Sequence, residues 1–459
     1  MSDRIVILGA GPTGLGTAYR LGQLGYDSWD LFERADHVGG LASSFTDEHG
    51  FIWDHGGHVM FSHYDYFDTL VEEMLRGDYD EHVREAWIWM HDRFIPYPFQ
   101  NNIHRLPKDV FLDCLMGIVA AQQSSQPRRD FSEWITAIFG QGIAAEFMVP
   151  YNLKVWAHPL EMLGTHWQGD RVPNVDVRRI VQNLLEDRDD VSWGPNNRFK
   201  FPLLGTGMLY DRMAAALSKP VHLGSDAVRI DLADKVVTFA DASRTSYDHL
   251  VTTIPLKELI RCIEDCPADV SDAVAALCHT EGLFVGIGVA DECPSTKCWM
   301  YFPESNSPFY RVTYLSNYSS RVTPGPGHFS LLAEVSSSAY KPECASDIVE
   351  RTLQGMVASR LLTPEQAETK IVSRQLLRVP YSYPVPTLER DDALAVIQPW
   401  LMAHDVYSRG RFGAWRYEIG NTDHSVMMGV EVADYLVGGN PETTWALLPG
   451  EEARMKIAK

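Results

Sequence analysis

The chain has 459 residues, 45% of them hydrophobic and 22% charged, a balance that suits folded domains with a large core and excludes a disordered, collagen-like or low-complexity protein. Forty Lys and Arg against 61 Asp and Glu leave a formal net charge of −21, so there is no cationic surplus to neutralise nucleic-acid phosphates or an anionic membrane. The seven cysteines (Cys114, Cys262, Cys266, Cys278, Cys293, Cys298, Cys344) contain no C-x-x-C pair and are expected to be reduced, no apolar run reaches the roughly 18 residues of a membrane span, and the first strand runs straight into a glycine turn rather than a signal peptide. A cytoplasmic protein is expected.

In chain order, residues 4–8 are apolar and β-branched, 14–24 have helical spacing, and 28–32 predict a second strand, which makes a βαβ start. From about 107 to 186 helical patterns dominate, over 110–122, 131–139 and 177–185, and predict a helical insert. Short strands return at 221–223, 227–232, 236–239 and 249–254, the last suited to rejoin the N-terminal sheet. Runs at 283–289, 309–315 and 328–335 predict an antiparallel sheet. Residues 405–437 then read as turn, aromatic cluster and helix, closing the first domain again.

Gly9-Ala10-Gly11-Pro12-Thr13-Gly14 follows the first strand and opens the first helix. In G-x-G-x-x-G, the glycines allow a tight turn, close approach to a pyrophosphate and close helix packing, with the phosphates at the helix N-terminus. Glu33 lies 19 residues past Gly14, where a carboxylate can accept ribose hydroxyls. The competing reading is an ordinary glycine-rich turn with an incidental acid. Glu33-Arg34 is followed by Val38-Gly39-Gly40-Leu41-Ala42-Ser43, and a second glycine pair so close to the acid resembles the flavoprotein pattern, which favours FAD over free NAD. The expected fold is therefore α/β: a Rossmann-type FAD-binding domain from residues 1–105, 200–280 and 400–459, a helical domain 106–199, and an antiparallel β-sheet substrate domain 281–399.

Longer motifs carry a family resemblance. Gly56-Gly57-His58-Val59-Met60-Phe61-Ser62-His63-Tyr64, Pro96-Tyr97-Pro98-Phe99-Gln100-Asn101-Asn102 and Pro150-Tyr151-Asn152-Leu153-Lys154-Val155-Trp156 come first. Gly169-Asp170-Arg171-Val172, Trp193-Gly194-Pro195-Asn196, and Cys298-Trp299-Met300-Tyr301-Phe302-Pro303 through Tyr310-Arg311 follow. The last are Tyr383-Pro384-Val385-Pro386-Thr387-Leu388-Glu389-Arg390 and the run from Ser408-Arg409-Gly410-Arg411 to Tyr417-Glu418-Ile419-Gly420-Asn421. Over nearly its whole length the chain resembles the UDP-galactopyranose mutases of the eukaryotic type.

That resemblance implies an isomerase that interconverts pyranose and furanose forms of a nucleotide sugar without net redox change. It works with reduced FAD, primed by NAD(P)H or another reductant, whose N5 attacks the anomeric carbon and expels the nucleoside diphosphate. Such chemistry fits a sequence with no recognisable Ser-His-Asp, metal or paired-acid site. Arg171 and Arg311 take the positions of the diphosphate clamp, where fixed guanidiniums meet developing charge. Tyr301, Tyr383 and Tyr417 match phosphate-contacting tyrosines; Tyr97, Phe99 and Gln100 hold the base, with Phe61, Asn152, Trp156 and Trp299 nearby, and Asn196 lies near the sugar. By the same resemblance the loop after Gly56-Gly57, with His58 and His63, sits at the isoalloxazine and responds to its redox state. Arg411 and Asn421 lie near flavin and substrate, and Gly57, Arg34, Leu41 and Val228 complete the cofactor set.

Two departures from the family pattern stand out. Trp89 occupies a place where these enzymes carry an arginine, with Arg84 and Arg93 flanking it, and the stretch from Tyr318 to Phe329 is shorter. Two alternatives therefore stay open: a mutase of another nucleotide sugar such as a GDP-hexose, and an oxidoreductase of the flavin amine oxidase or desaturase type. The partner in the first reading is a small nucleotide sugar, and a homo-oligomer is left open.

Overall fold

The computed structural model describes residues 2–123, 128–168, 175–191 and 197–446. Four consecutive buried apolar residues, Ile5–Leu8, form an inner strand of a four-stranded parallel sheet covered on both faces, which is why the run does not alternate. Trp29–Phe32 pairs on one side and His249–Thr252 on the other, with Val406–Ser408 beyond, in the registers Ile5↔Trp29, Ile5↔His249 and Leu250↔Val406. Helix Pro12–Gln23 starts just past the first strand, and helix Thr422–Gly438 lies along it. Their contact needs glycine: a Cβ on Gly429 would sit 2.1 Å from the Thr13 carbonyl, and one on Gly16 2.7 Å from that of Val426. The Thr13 hydroxyl donates to the Ser425 carbonyl at 2.7 Å, so the two helices begin side by side.

The second sheet has seven strands, ordered Ile371–Val385, Cys278–Val289, Phe329–Ser337, Arg311–Tyr314, Trp299–Tyr301, Ala86–Met90 and Arg93–Pro96. Neighbours are antiparallel except Trp299–Tyr301 against Ala86–Met90. Period-2 alternation sends Leu283, Val285 and Ile287 into one core cluster and Phe284 into another. Phe51 and Trp53 fill the space over Gly288 and Gly286. Helices Lys108–Gln122, Phe131–Ile143 and Val177–Glu186 lie close to their predicted ranges, and Val149–Trp156, for which no range was predicted, completes the helical part.

Sheet membership divides the chain differently from the sequence expectation in two places. The hairpin over 86–96, expected within the first segment of the FAD-binding domain, hydrogen-bonds to Trp299–Tyr301, because its Ala86, Ile88 and Met90 face the same core cluster as Trp299. The stretch 221–223 contributes only a single bridge, Phe32↔His222, rather than a strand. Residues 227–231 and 236–239 belong to a small separate antiparallel sheet. Among the described residues, no helix is long and apolar enough to cross a membrane.

Candidate active site

The glycine turn and its carboxylate come together as their spacing requires. Gly9 (φ +98°) donates to the Phe32 carbonyl at 2.7 Å, tying the turn to the second strand. Glu33, at that strand's end, accepts from the Ala10 amide at 2.7 Å and the Ala35 amide at 2.9 Å. The second glycine pair folds back onto the first: Gly39 (φ +95°) donates to the Ala10 carbonyl at 2.8 Å, and Gly40 faces Gly11. Gly14 is demanded by the fold, since its Cβ would lie 1.9 Å from the Gly9 carbonyl oxygen. A Cβ on Gly11 would meet nothing closer than the Gly40 Cα at 3.9 Å, an ordinary contact, so the fold itself does not forbid it. That cradle fits a pyrophosphate. Ser225 donates to the Glu33 carbonyl, and three residues on, Val228 is an uncovered apolar side chain at 47% exposure. Arg34 is exposed and Leu41 half-buried.

The loop that bears Gly56, Gly57 and His58 meets the second sheet through one carboxylate. Glu334, 1% exposed in strand Phe329–Ser337, accepts from Arg311 Nε (2.7 Å) and Arg311 Nη2 (2.6 Å), from the Tyr310 hydroxyl (2.7 Å) and from the Gly57 amide (3.0 Å). Burial opposes the Arg311 charge, and Glu334, with Tyr383 and Tyr310, offsets it and holds the guanidinium protonated. Arg311 stacks on Trp299 at 4.8 Å. The same indole carries Arg84 at 5.0 Å; Arg84 also covers Tyr97 at 5.0 Å and donates to the Tyr301 hydroxyl at 2.7 Å. Arg84 Nε and Trp299 Nε1 are buried donors with no partner within the protein, poised for a ligand.

Arg84 resolves the departure at Trp89. Trp89 is buried against Phe94 at 4.8 Å in the cluster on the other side of the sheet, and it is Arg84 that brings positive charge to Tyr97, Trp299 and Tyr301. Neither Arg84 nor Glu334 stood among the sequence-derived site residues. Arg84 sits in a charged stretch, Val83-Arg84-Glu85, that reads as surface. Glu334 did carry a signal: one acid within the apolar run Phe329-Ser330-Leu331-Leu332-Ala333-Glu334-Val335 must have a buried partner.

Trp156, Tyr383 and Tyr417 form an aromatic corner, with Trp156 4.9 Å from Tyr417 and Tyr383 5.5 Å from Tyr417. Trp156 Nε1 is buried without a partner within the protein. Arg411 lies over Tyr383 at 5.7 Å and donates to the Gly420 carbonyl at 2.9 Å, next to Asn421, the N-cap of helix Thr422–Gly438. Tyr97 stands 5.4 Å from Tyr301, and burial pushes its phenol above the ordinary range. Phe99 is enclosed against Phe147 at 4.6 Å, Gln100 is buried, and Asn152 donates its amide to the Met148 carbonyl at 2.7 Å. Phe61 packs edge-on against His63 at 4.8 Å. Arg171 and Asn196 lie outside the described residues.

His63 Nδ1 meets Asp423 Oδ2 at 2.6 Å, and the same oxygen accepts the His63 amide at 2.9 Å. With His424 these side chains form a cluster whose donor atoms lie within 4.8 Å of one another, a geometry that could hold a metal ion. Asp423 stands in the first turn of its helix, where the dipole favours the anion and opposes a cation, so the cluster reads as a hydrogen-bonded clasp between the loop and the helix.

His58 follows Gly57 on the loop that meets Glu334. Burial, then the charges of Arg411, Arg311 and His55, push its imidazole down to about 3, so the ring is neutral throughout the neutral range. Its Nδ1 is buried without a partner within the protein. Turnover measured from pH 5 to 8 is therefore expected to show no acid limb that disappears in His58→Asn. A limb near 6 removed by that substitution would show an imidazolium instead.

The family model for flavin-containing amine oxidoreductases matches residues 12–423. A solved structure described as reduced UDP-galactopyranose mutase is 44% identical, with a TM-score of 0.95, covering 99% of this chain and 98% of that one. A fatty acid isomerase from P. acnes (16% identity, TM-score 0.62, 94% and 97% covered) and a putrescine oxidase bound to putrescine (16%, 0.60, 95% and 99%) share the fold.

Proposed function

Because the chain belongs to the UDP-galactopyranose mutases within the flavin-containing amine oxidoreductase family, we infer that it is an isomerase, an FAD-dependent nucleotide-sugar mutase converting UDP-galactose between its pyranose and furanose forms. The observation that carries the reading is the part-buried pair Arg311 and Arg84 on one indole, Trp299, beside the loop that bears His58, in a chain whose net charge is −21. Glu334 neutralises Arg311, whereas among the described residues Arg84 has only the Tyr301 hydroxyl and aromatic faces, so the pair carries a positive charge suited to an anionic ligand. The cofactor is reduced FAD, which supplies a nucleophilic nitrogen to the anomeric carbon.

The protein's own groups then divide the work. Gly9, Gly11, Gly14, Glu33, Arg34, Gly39, Gly40, Leu41 and Val228 hold the adenosine and pyrophosphate. Gly57, neutral His58, Arg411 and Asn421 face the isoalloxazine, where Arg411 favours the anionic reduced ring. Arg311 and Arg171 take up the charge that develops on the departing diphosphate, with Tyr301, Tyr383 and Tyr417 as neutral donors. Tyr97, Phe99, Gln100, Phe61, Asn152, Trp156 and Trp299 build the nucleoside end, and Asn196 contacts the sugar. A cytoplasmic location belongs to the same reading.

The test is an anaerobic assay of dithionite-reduced protein with UDP-galactose and GDP-hexoses in parallel, products separated by chromatography. A new isomer of unchanged mass from UDP-galactose is the expected result. An isomer from a GDP-hexose alone reassigns the base and sugar. Oxidised product with stoichiometric oxygen uptake in air, and no isomer, would mark an oxidoreductase.

A further inference from the structure

Lys154 is 8% exposed, yet it lies two residues from each of Asn152 and Trp156 on helix Val149–Trp156, about 200° round the axis from both. A buried ammonium needs acceptors for its three N–H groups, and here there are four. Nζ donates to the carbonyls of Phe302 (2.9 Å), Glu304 (2.6 Å) and Phe309 (2.9 Å), with the Ser307 hydroxyl at 3.3 Å. All belong to the connection between strands Trp299–Tyr301 and Arg311–Tyr314, whose last paired residues are Tyr301 and Arg311.

The connection is otherwise tied at its ends, where Tyr310 donates its amide to the Glu334 carbonyl at 3.0 Å, and by the Glu304 carboxylate, which accepts the His91 amide at 2.9 Å. Phe302 donates to the Tyr310 carbonyl at 3.0 Å, the Phe302 and Phe309 rings pack at 4.7 Å, and between them Pro303 to Pro308 border a cleft that Pro150, Leu153 and Lys154 of the helix line from the other side. One side chain thus gathers three carbonyls of the connection at a point on the helix. The opposite side of that helix bears Asn152 and Trp156, and its Tyr151 meets Tyr301 edge-on at 5.4 Å.

We infer that Lys154 is a positioning residue for the diphosphate subsite: it tethers the hairpin that presents Tyr301 and Arg311 to the helix that presents Asn152 and Trp156, and so fixes the distance between the phosphate donors and the nucleoside end. This rests on the reading of Arg311 and Tyr301 as diphosphate donors. Lys154 itself touches no ligand.

The experiment compares wild type, Lys154→Met, Arg311→Ala and the double variant, each as flavin-loaded protein, with Lys154→Gln as a milder change that keeps two N–H donors. Hydrogen exchange tests the tether without any ligand. Amides from 302 to 310 are expected to exchange faster in Lys154→Met, and less so in Lys154→Gln, while the parallel sheet stays protected; unchanged exchange in the hairpin overturns the tether. Calorimetry with UDP and with uridine tests its consequence. Lys154→Met should weaken UDP roughly tenfold or more, the scale of a misplaced charge-assisted contact. Uridine should change by less than about twofold, and the double variant should bind UDP no more weakly than Arg311→Ala, since Lys154 acts through that residue. Equal losses for UDP and uridine, or losses that add in the double variant, overturn the positioning role. Wild-type UDP affinity in Arg311→Ala would instead refute the diphosphate reading, and the positioning claim would fall with it even where faster exchange upholds the tether.

Discussion

Arg311→Ala is expected to lower kcat about 10²–10³-fold while FAD remains bound, the usual loss when one donor to a developing oxyanion is removed. The guanidinium is fixed before substrate arrives, by two hydrogen bonds to Glu334 and by the face of Trp299, so no reorganisation is needed when negative charge appears on the diphosphate. The substitution also leaves the Glu334 carboxylate buried with only Tyr310 and Gly57 as donors, and breaking such a pair costs about 3–5 kcal/mol of stability. Arg311→Lys separates the two effects. It keeps the charge beside Glu334 but loses the fork, so stability recovers more than turnover does. Flavin absorbance, thermal unfolding and anaerobic turnover on the same preparations check this, and near-normal turnover in Arg311→Ala would remove Arg311 from the clamp. Arg171→Ala is expected to behave likewise in turnover.

Gly11→Val should give a folded protein that has lost its flavin, whereas Gly14→Ala should damage the fold itself. Gly11 has φ −76° and ψ −173°, an extended conformation open to valine and suited to the residue before Pro12, and its Cβ would find no atom within 3.9 Å. The protein does not require a glycine there; a pyrophosphate lying against the backbone does. At Gly14 the added Cβ would strike the Gly9 carbonyl at 1.9 Å, a backbone atom that cannot move without opening the turn, at a cost of about 1–3 kcal/mol or more. The measurement is the flavin-to-protein ratio by absorbance together with thermal unfolding of the apoproteins. Gly11→Val purified with a full complement of FAD would refute the cradle; apoprotein unfolding like wild type in Gly14→Ala would refute the packing argument.

The dinucleotide half of this protein is written in local sequence. An apolar strand, three glycines at fixed spacing, a helix and an acid 19 residues on all act within one βαβ unit, so each residue's job follows from its neighbours in the chain. The return of 249–252 to that sheet was legible for a related reason, since its adjacent apolar residues Leu250 and Val251 need cover on both faces. Long motifs identified Arg311, Tyr301, Tyr383 and Tyr417 through resemblance, which conveys what a residue does in relatives and not what holds it.

What holds it was decided by tertiary structure. Arg84 reaches Tyr301 across 217 positions, Gly57 reaches Glu334 across 277, and Lys154 reaches Glu304 across 150. No period or spacing encodes contacts at such separations, because they depend on the register of the seven-stranded sheet and on which face of it each side chain meets. The same register moved the hairpin over 86–96 into that sheet and carried Trp89 to its far side. Chemistry-bearing residue types are visible in one dimension; whether their charges are buried, and against whom, is set only when distant strands pair and exclude water.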